Sequence, residues 1–254
     1  EKAMTKITAI IPTLNEEIHI KDVIKSVDFA DEILVVDSYS KDKTVEIARE
    51  MGARILQREY EYSASQKNWA IPQATNEWII LVDADERLTQ ELKDEIQLLL
   101  KGGDINDYSC YWINRNSHFM GKDIKYGGWN DKVIRLFKNS DCKYEDLKVH
   151  SEIVTTGKTG FLKNKLYHNT YRSFDHHMEK LNRYALLQAQ DHDAKTGSLT
   201  GYHFVLKPMF RFFKHYIIQG GFRDGIVGLI ISYTHSYSVF MRYVRLWLLR
   251  RNEK

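Results

Sequence analysis

The 254-residue chain is 43% hydrophobic and 28% charged, without repeats or low-complexity tracts, which excludes a disordered or fibrous protein and leaves one large α/β domain, or a smaller one with an appendage. Two cysteines, Cys110 and Cys142, exclude a disulfide framework and read as free buried thiols in a reducing cytoplasm, because a metal site would need more ligands beside either. The net charge of +3 hides two opposed parts: residues 195–254 carry ten Lys or Arg against Asp224 and Glu253, +8, which leaves −5 for residues 1–194.

No secretory signal is visible at the start, and Glu1-Lys2-Ala3 ahead of Met4 reads as an addition to the natural sequence. Lys6 to Ile11 alternates into a short strand that breaks at Pro12-Thr13-Leu14-Asn15. Asn15 is read as the N-cap of a helix running from Glu16-Glu17 to about Val27, its acidic first turn suiting the helix dipole. Glu32 to Asp37 is a second strand ending in a carboxylate, followed by polar turn residues Ser38 to Asp42 and a helix from about Lys43 to Met51 that closes on Gly52. Ala53 to Gln57 gives a third strand and Ser65 to Ala74 a short helix. Strand and helix alternating with such short connections predict a parallel sheet of the nucleotide-binding type.

Trp78 to Val82 is the fourth strand, an uninterrupted apolar run of the kind covered on both faces, and it ends in Asp83-Ala84-Asp85-Glu86. In open α/β sheets the ligand lies beyond the carboxyl ends of the strands, which places Asp83 and Asp85 where chemistry is expected. One carboxylate suits a sugar hydroxyl and the other a hard cation bridging phosphate oxygens. Alone, this run would equally end a strand and cap the next helix. Thr13 with Asn15 and Asp37 end earlier strands in the same way. No glycine lies in the first strand-helix turn and no phosphate-cradling Gly-rich loop follows, so bound phosphates would need a metal and basic side chains.

Thr89 caps a helix from about Gln90 to Lys101, ended by Gly102-Gly103. Tyr108 to Arg115, Lys132 to Lys138, Val149 to Thr156 and Phe161 to His168 then read as strands, which makes the second half mixed. Between them the flexible turn Gly127-Gly128-Trp129-Asn130-Asp131 carries an aromatic ring and a carboxylate. From Ser173 onward the pattern is helical: about Asp175 to Lys195, Tyr202 to Gln219 and Asp224 to Arg251. His176 and His177, about 100° apart on a helix and without a third ligand, read as solvated residues.

Ile10 to Glu17, Val35-Val36-Asp37-Ser38 with Asp42 and Thr44, Gln66-Lys67-Asn68 and Leu81 to Glu86 together resemble the family-2 inverting glycosyltransferases of the GT-A fold. Gly127-Gly128-Trp129 with Asp131, Arg135-Leu136-Phe137, Val149-His150, Tyr171-Arg172-Ser173 and Lys180 to Tyr184 resemble a narrower branch, the bacterial lipopolysaccharide-core glycosyltransferases, often described as β-1,4-glucosyltransferases. The resemblance implies a GT-A domain over residues 4–170, a helical extension over 171–254, and transfer of a sugar from a nucleoside diphosphate, UDP-glucose foremost. It implies that Pro12, Thr13, Asn15 and Glu17 line the nucleotide pocket, that Asp37 accepts from the base N–H, and that Lys67 lies over the nucleotide or diphosphate. Asp83 would meet ribose or metal, and Asp85 would bind Mg²⁺ or Mn²⁺. Asp131 matches the segment bearing the base that deprotonates the acceptor hydroxyl, with Arg135 orienting it or reaching a phosphate. His150 and Glu152 compete for that role; the branch has His directly followed by Glu, whereas Ser151 intervenes here. Trp129 and Trp112 read as sugar-stacking rings or as packing residues, and Lys67 equally as an exposed helix lysine.

The tail interleaves large apolar residues with Lys207, Arg211 and Lys214, the composition of a helix lying in a membrane interface. Gly225 to Met241 lacks formal charge but is too short and too polar to span, and Arg242, Arg245, Arg250 and Arg251 follow it, suited to anionic headgroups. The expected place is the inner face of the cytoplasmic membrane, with a glycolipid or saccharide acceptor, no nucleic acid, and a homo-oligomer as an open possibility. A helical subdomain packed on the sheet is the alternative reading of the tail. Rival functions are a nucleotidyltransferase on a similar sheet, which would bring a Gly-rich basic signature near the first strand, and a membrane-associated or polyanion-binding scaffold without turnover.

Overall fold

The computed structural model describes residues 4–102, 104–129, 131–148, 151–169 and 174–252, the side chains of Asp104 and His176 excepted. The chain divides into two compact units, residues 1–115 with 132–168, and residues 116–131 with 169–254.

In the first unit β1 (Ile7–Thr13), β2 (Glu32–Asp37), β3 (Arg54–Gln57) and β4 (Trp78–Leu81) lie parallel in the order β3-β2-β1-β4. Strand alternation explains why β1, β2 and β4 carry apolar residues on both faces: Ile7, Ala9, Ile11, Val35, Trp78 and Ile80 enter the core on one face, Ile10, Leu34, Val36, Ile79 and Leu81 that on the other. The connections are α1 (Ile20–Ser26), α2 (Thr44–Glu50) and α3 (Ser63–Ala70). The sheet continues through β8 (Asp131–Lys138), β6 (Cys110–Phe119), β11 (Thr159–Asn169) and β5 (Glu86–Leu88), β8 antiparallel to β4 and β5 antiparallel to β11. The expected mixed second half is thereby observed. A separate ladder joins β9 (Cys142–Tyr144) to β10 (Ile153–Thr155). α4 (Gln90–Gly102) buries Leu92, Ile96 and Leu100, and Thr89 caps it by accepting the Leu92 N–H at 3.2 Å. Both cysteines are free and buried, as expected.

Two local expectations are corrected here. Asn15 has φ 55°, a left-handed conformation outside the extended region an N-cap requires, and α1 begins only at Ile20 behind a turn closed by Glu16. Of the strand expected at 149–156, Ile153–Thr155 forms, while Val149 and His150 lie outside the described residues.

In the second unit the end of β6 turns at Met120-Gly121 into β7 (Lys122–Ile124). The helices are α5 (Phe174–Asp193), α6 (Lys207–Phe213) between π-helical turns at Tyr202–Leu206 and Lys214–Ile218, and α7 (Gly225–Arg250). Phe119 and Ile124 pack with Val227 and Ile231 of α7, and Ala189 of α5 with Val239, Tyr243 and Leu246. His177 is 1% exposed, its Nε2 bonded to Thr234 Oγ1 at 3.0 Å, which corrects its reading as a solvated residue. Among the described residues, no helix is long and apolar enough to cross a membrane.

Candidate active site

The carboxyl ends of the parallel strands meet as the sequence predicts, because register sets Thr13 beside Asp37 and Asp37 beside Gln57. Asp37 is fully buried and accepts from Thr13 Oγ1 at 3.2 Å, from the Ser40 hydroxyl, and from Ser40 N and Gln57 Nε2, both at 3.0 Å. Four donors fill the acceptor capacity of one carboxylate, so a nucleobase N–H would replace one of them. Two loops are stitched together around it. Asn15 N donates to Ser40 Oγ and Asn15 Oδ1 accepts from Lys41 N, each at 2.8 Å; Glu17 Oε2 accepts from Lys43 N and Glu17 N donates to Asp42 Oδ2, each at 3.1 Å. Pro12 is half-buried in β1. Gln66, 2% exposed, donates to Ser38 Oγ at 3.1 Å and keeps a buried Oε1 without a partner.

Beyond β4 the acidic run sorts into three different environments. Asp83 Oδ1 meets Lys67 Nζ at 2.8 Å and its Oδ2 meets Arg135 Nη2 at 2.9 Å, while 32% of its side chain stays exposed. Burial alone would raise this carboxyl, but Lys67 and Arg135 override it and hold it well below the usual carboxylate range. Lys67 is 6% exposed on α3 and is held protonated by Asp83 against its burial, so it is not the exposed helix lysine that the sequence also allowed. Glu86 has no exposed surface and receives Arg135 Nε at 2.8 Å, Arg135 Nη2 at 2.7 Å, Arg115 Nη1 at 3.2 Å and Asp83 N at 3.1 Å. This two-pronged pairing fixes Arg135. Arg135 is itself buried, with Asp83, Glu86 and Tyr144 as its partners.

Asp85 lies 3.2 Å from His168 Nε2. The pairing follows from sheet register, since β11 sets His168 opposite Glu86. Sequence reasoning missed Glu86, Arg115 and His168. The only signal was a third carboxylate after β4 with basic residues ending or crossing later strands. For a divalent cation the donor set fits in a limited way: both oxygens of Asp83 already face Lys67 and Arg135, and Asp85, with His168 Nε2 at 3.2 Å, is the second carboxylate at this strand end. Mg²⁺ and Mn²⁺ take few protein ligands and complete their shells with phosphate oxygens and water. Among the described residues no group of three potential metal ligands occurs.

Asp131 opens β8 with an exposed side chain rather than lying in a loop, and belongs to the second unit. Trp129 is half-buried: its ring lies 5.4 Å from Phe119 and 6.1 Å from His177, and its N–H donates to His235 at 2.6 Å, the contacts of its packing reading. Trp112 is half-buried against the core. Glu152 is exposed ahead of β10, and His150 lies outside the described residues. A cleft of about 470 Å³ opens between Arg58, Tyr62, Trp69 and Tyr144; Asp83 and Asp85 do not line it.

A family model described as glycosyl transferase family 2 matches residues 8–170. An uncharacterized glycosyltransferase of Rickettsia felis is 30% identical over 96% of this chain and 90% of its own length. The lipopolysaccharide core biosynthesis glycosyltransferase LpsC of Rhizobium meliloti is 27% identical over 95% of this chain and 92% of its own. Among solved structures, S. aureus TarS 1-349 in complex with UDP-GlcNAc superposes over 98% of this chain and 93% of that one, with a TM-score of 0.51 at 15% identity, a likeness of fold.

Proposed function

The chain belongs to glycosyl transferase family 2 and carries the GT-A fold, and on that footing we propose that it transfers a sugar with inversion from a UDP-sugar, UDP-glucose foremost, to a saccharide or glycolipid acceptor such as lipopolysaccharide core. The observation that carries this reading is the sorting of the acidic run: Glu86 locked with Arg135, Asp83 balanced by two cations, and Asp85 left beside His168. That arrangement suits a diphosphate held next to a ribose. The relationship to LpsC supports the acceptor class, and the nucleotide sugar bound to TarS makes a uridine donor the first to test.

In this mechanism Thr13, Asn15, Glu17 and Asp37 seat the nucleoside, and the exposed edge of Asp83 takes the ribose side. Lys67 and Arg135 act on the donor through Asp83, keeping it ionised and fixed. A divalent cation at Asp85 would neutralise charge on the departing diphosphate. Asp131 accepts the proton of the acceptor hydroxyl, with His150 and Glu152 as rivals for that role or as acceptor contacts. The bound geometry supplies orientation.

The acceptor is placed at the inner face of the cytoplasmic membrane. In the second unit Leu206, Met209, Phe210, Phe213, Ile217 and Ile218 are all exposed along the Tyr202–Ile218 stretch, with Lys214 and Arg223 exposed around them. An apolar face with cations at its edge suits an anionic lipid interface.

The test is calorimetric titration of UDP and GDP with and without Mn²⁺, on the natural protein and on Asp85→Ala. Metal-dependent binding of UDP that the substitution weakens at least tenfold is expected. Binding of neither nucleotide, or metal-dependent binding that Asp85→Ala leaves intact, would refute the assignment.

A further inference from the structure

The turn Gly127-Gly128-Trp129 ends two residues before Asp131, and its glycines have φ of 70° and 72°, a left-handed path that side-chain-bearing residues resist. Within the second unit this turn is held from several sides. Gly127 N donates to Gln219 O at 3.0 Å, and the Gly127 carbonyl accepts from His215 Nδ1 at 2.6 Å. The Trp129 indole N–H donates to His235 Nε2 at 2.6 Å, and Ser117 Oγ donates to the Trp129 carbonyl at 2.9 Å. Just upstream, the Asp224 carboxylate accepts the Tyr126 N–H at 2.9 Å.

The protonation of both histidines follows from their partners. A carbonyl only accepts, so His215 carries its proton on Nδ1; an indole N–H only donates, so Nε2 of His235 is bare. The two imidazoles lie 4.3 Å apart with 37° between their planes. Arg211 Nη1 stands 3.5 Å from His215 Nε2, and Lys214 adds a second cation near it. Asp224 is bonded to the backbone of Lys125 and Tyr126, and the His177 ring lies 6.1 Å from that of Trp129. A proton added to His215 would face Arg211, and one added at His235 Nε2 would oppose the indole N–H. Burial, helped by Arg211 and Lys214, accordingly pushes the His215 imidazolium down.

We propose that His215 and His235 are positioning residues which, as neutral imidazoles, clasp the Gly127-Gly128-Trp129 turn and so fix where the chain enters β8 with Asp131. This rests on the reading of Asp131 as the base, although the clasp itself can be measured without any substrate. Loss of one such hydrogen bond from the support of a catalytic group costs on the order of fivefold to tenfold in rate.

The experiment compares His235→Leu with His235→Gln, whose amide oxygen replaces the Nε2 acceptor, and His215→Leu with His215→Asn, whose amide N–H replaces the Nδ1 donor. Hydrogen exchange of the amides from Tyr126 to Lys132 is expected to quicken about tenfold in each Leu variant and to return towards the natural rate in the Gln and Asn variants. Nitrogen NMR of the imidazoles should find the Nδ1–H tautomer in both. Transfer of glucose from UDP-glucose to core-truncated lipopolysaccharide should lose about tenfold in kcat, with donor KM unchanged, in the Leu variants alone. Unchanged exchange in the Leu variants, equal effects of Leu and its polar counterpart, or a proton on His235 Nε2 overturns the clasp. An Asp131→Asn protein with natural kcat overturns the base assignment alone, because the exchange result does not depend on it.

Discussion

Asp83 and Glu86 follow the same strand three residues apart, and their burial decides what each can do. Glu86 has no exposed surface and takes both prongs of Arg135. Glu86→Gln keeps the shape but leaves Arg135 buried against too little negative charge, so we expect a loss of about 3–5 kcal/mol, read as a lowered urea midpoint. Asp83 has its folded value depressed by Lys67 and Arg135. A depressed carboxylate contributes stability that is complete above its unfolded value, about 3.9, and is lost as pH falls through the folded one. Lys67→Met should therefore destabilise at neutral pH, and its deficit in thermal melts should shrink below about pH 4. The strand-end aspartates were legible because an apolar run stops at them. Their partners were not. Arg115 and Arg135 reach Glu86 from strands far along the chain, and His168 reaches Asp85 through the β11–β5 pairing, so only the strand order brings them together.

Elements with a strong period were read closely: β2, β4 and α4 fall where alternation and capping place them, while β1 runs on through Pro12 and Thr13, where a break was expected. What local pattern did not carry was the grouping of residues 116–131 with the helices, since that depends on packing between segments distant in sequence. The corner before α7 shows how tight this packing is. A Cβ on Gly228 would lie 1.9 Å from the Gly221 carbonyl oxygen and 3.1 Å from Asp224 Cβ. Helix propensity favours Ala over Gly by about 1 kcal/mol, whereas forcing extra atoms into a packed contact costs about 1–3 kcal/mol or more. The contact is with backbone, which cannot swing aside. Gly228→Ala should therefore lower the melting temperature despite its better propensity, and hydrogen exchange should quicken at the α7 amino terminus and at Gly221–Asp224. A raised melting temperature would mean that the corner is looser than it stands here.

At the scale of the whole molecule, a net charge of +3 conceals +8 on residues 195–254 and −5 on the rest, and the same tail exposes Phe210 and Phe213. The two features would act on a lipid surface by different physics. Coulomb attraction to an anionic surface decays within a Debye length, about 8 Å at physiological salt, and weakens steeply as salt rises. Burial of a phenylalanine side chain is worth about 1.5–3 kcal/mol and does not depend on salt in that way. Binding to vesicles rich in phosphatidylglycerol should accordingly fall as salt rises but persist, and it should exceed binding to phosphatidylcholine vesicles at every salt concentration. Phe210→Ser with Phe213→Ser should remove the salt-resistant part, a loss of tenfold or more in partitioning by co-sedimentation, while UDP titration stays unchanged because neither ring belongs to the nucleotide pocket. If the double variant instead binds vesicles like the natural protein and changes its sedimentation coefficient, the apolar face is a seam between copies of the chain. The cations would then serve solubility rather than lipid, since fixed positive charge beside a protein seam has no anionic surface to meet.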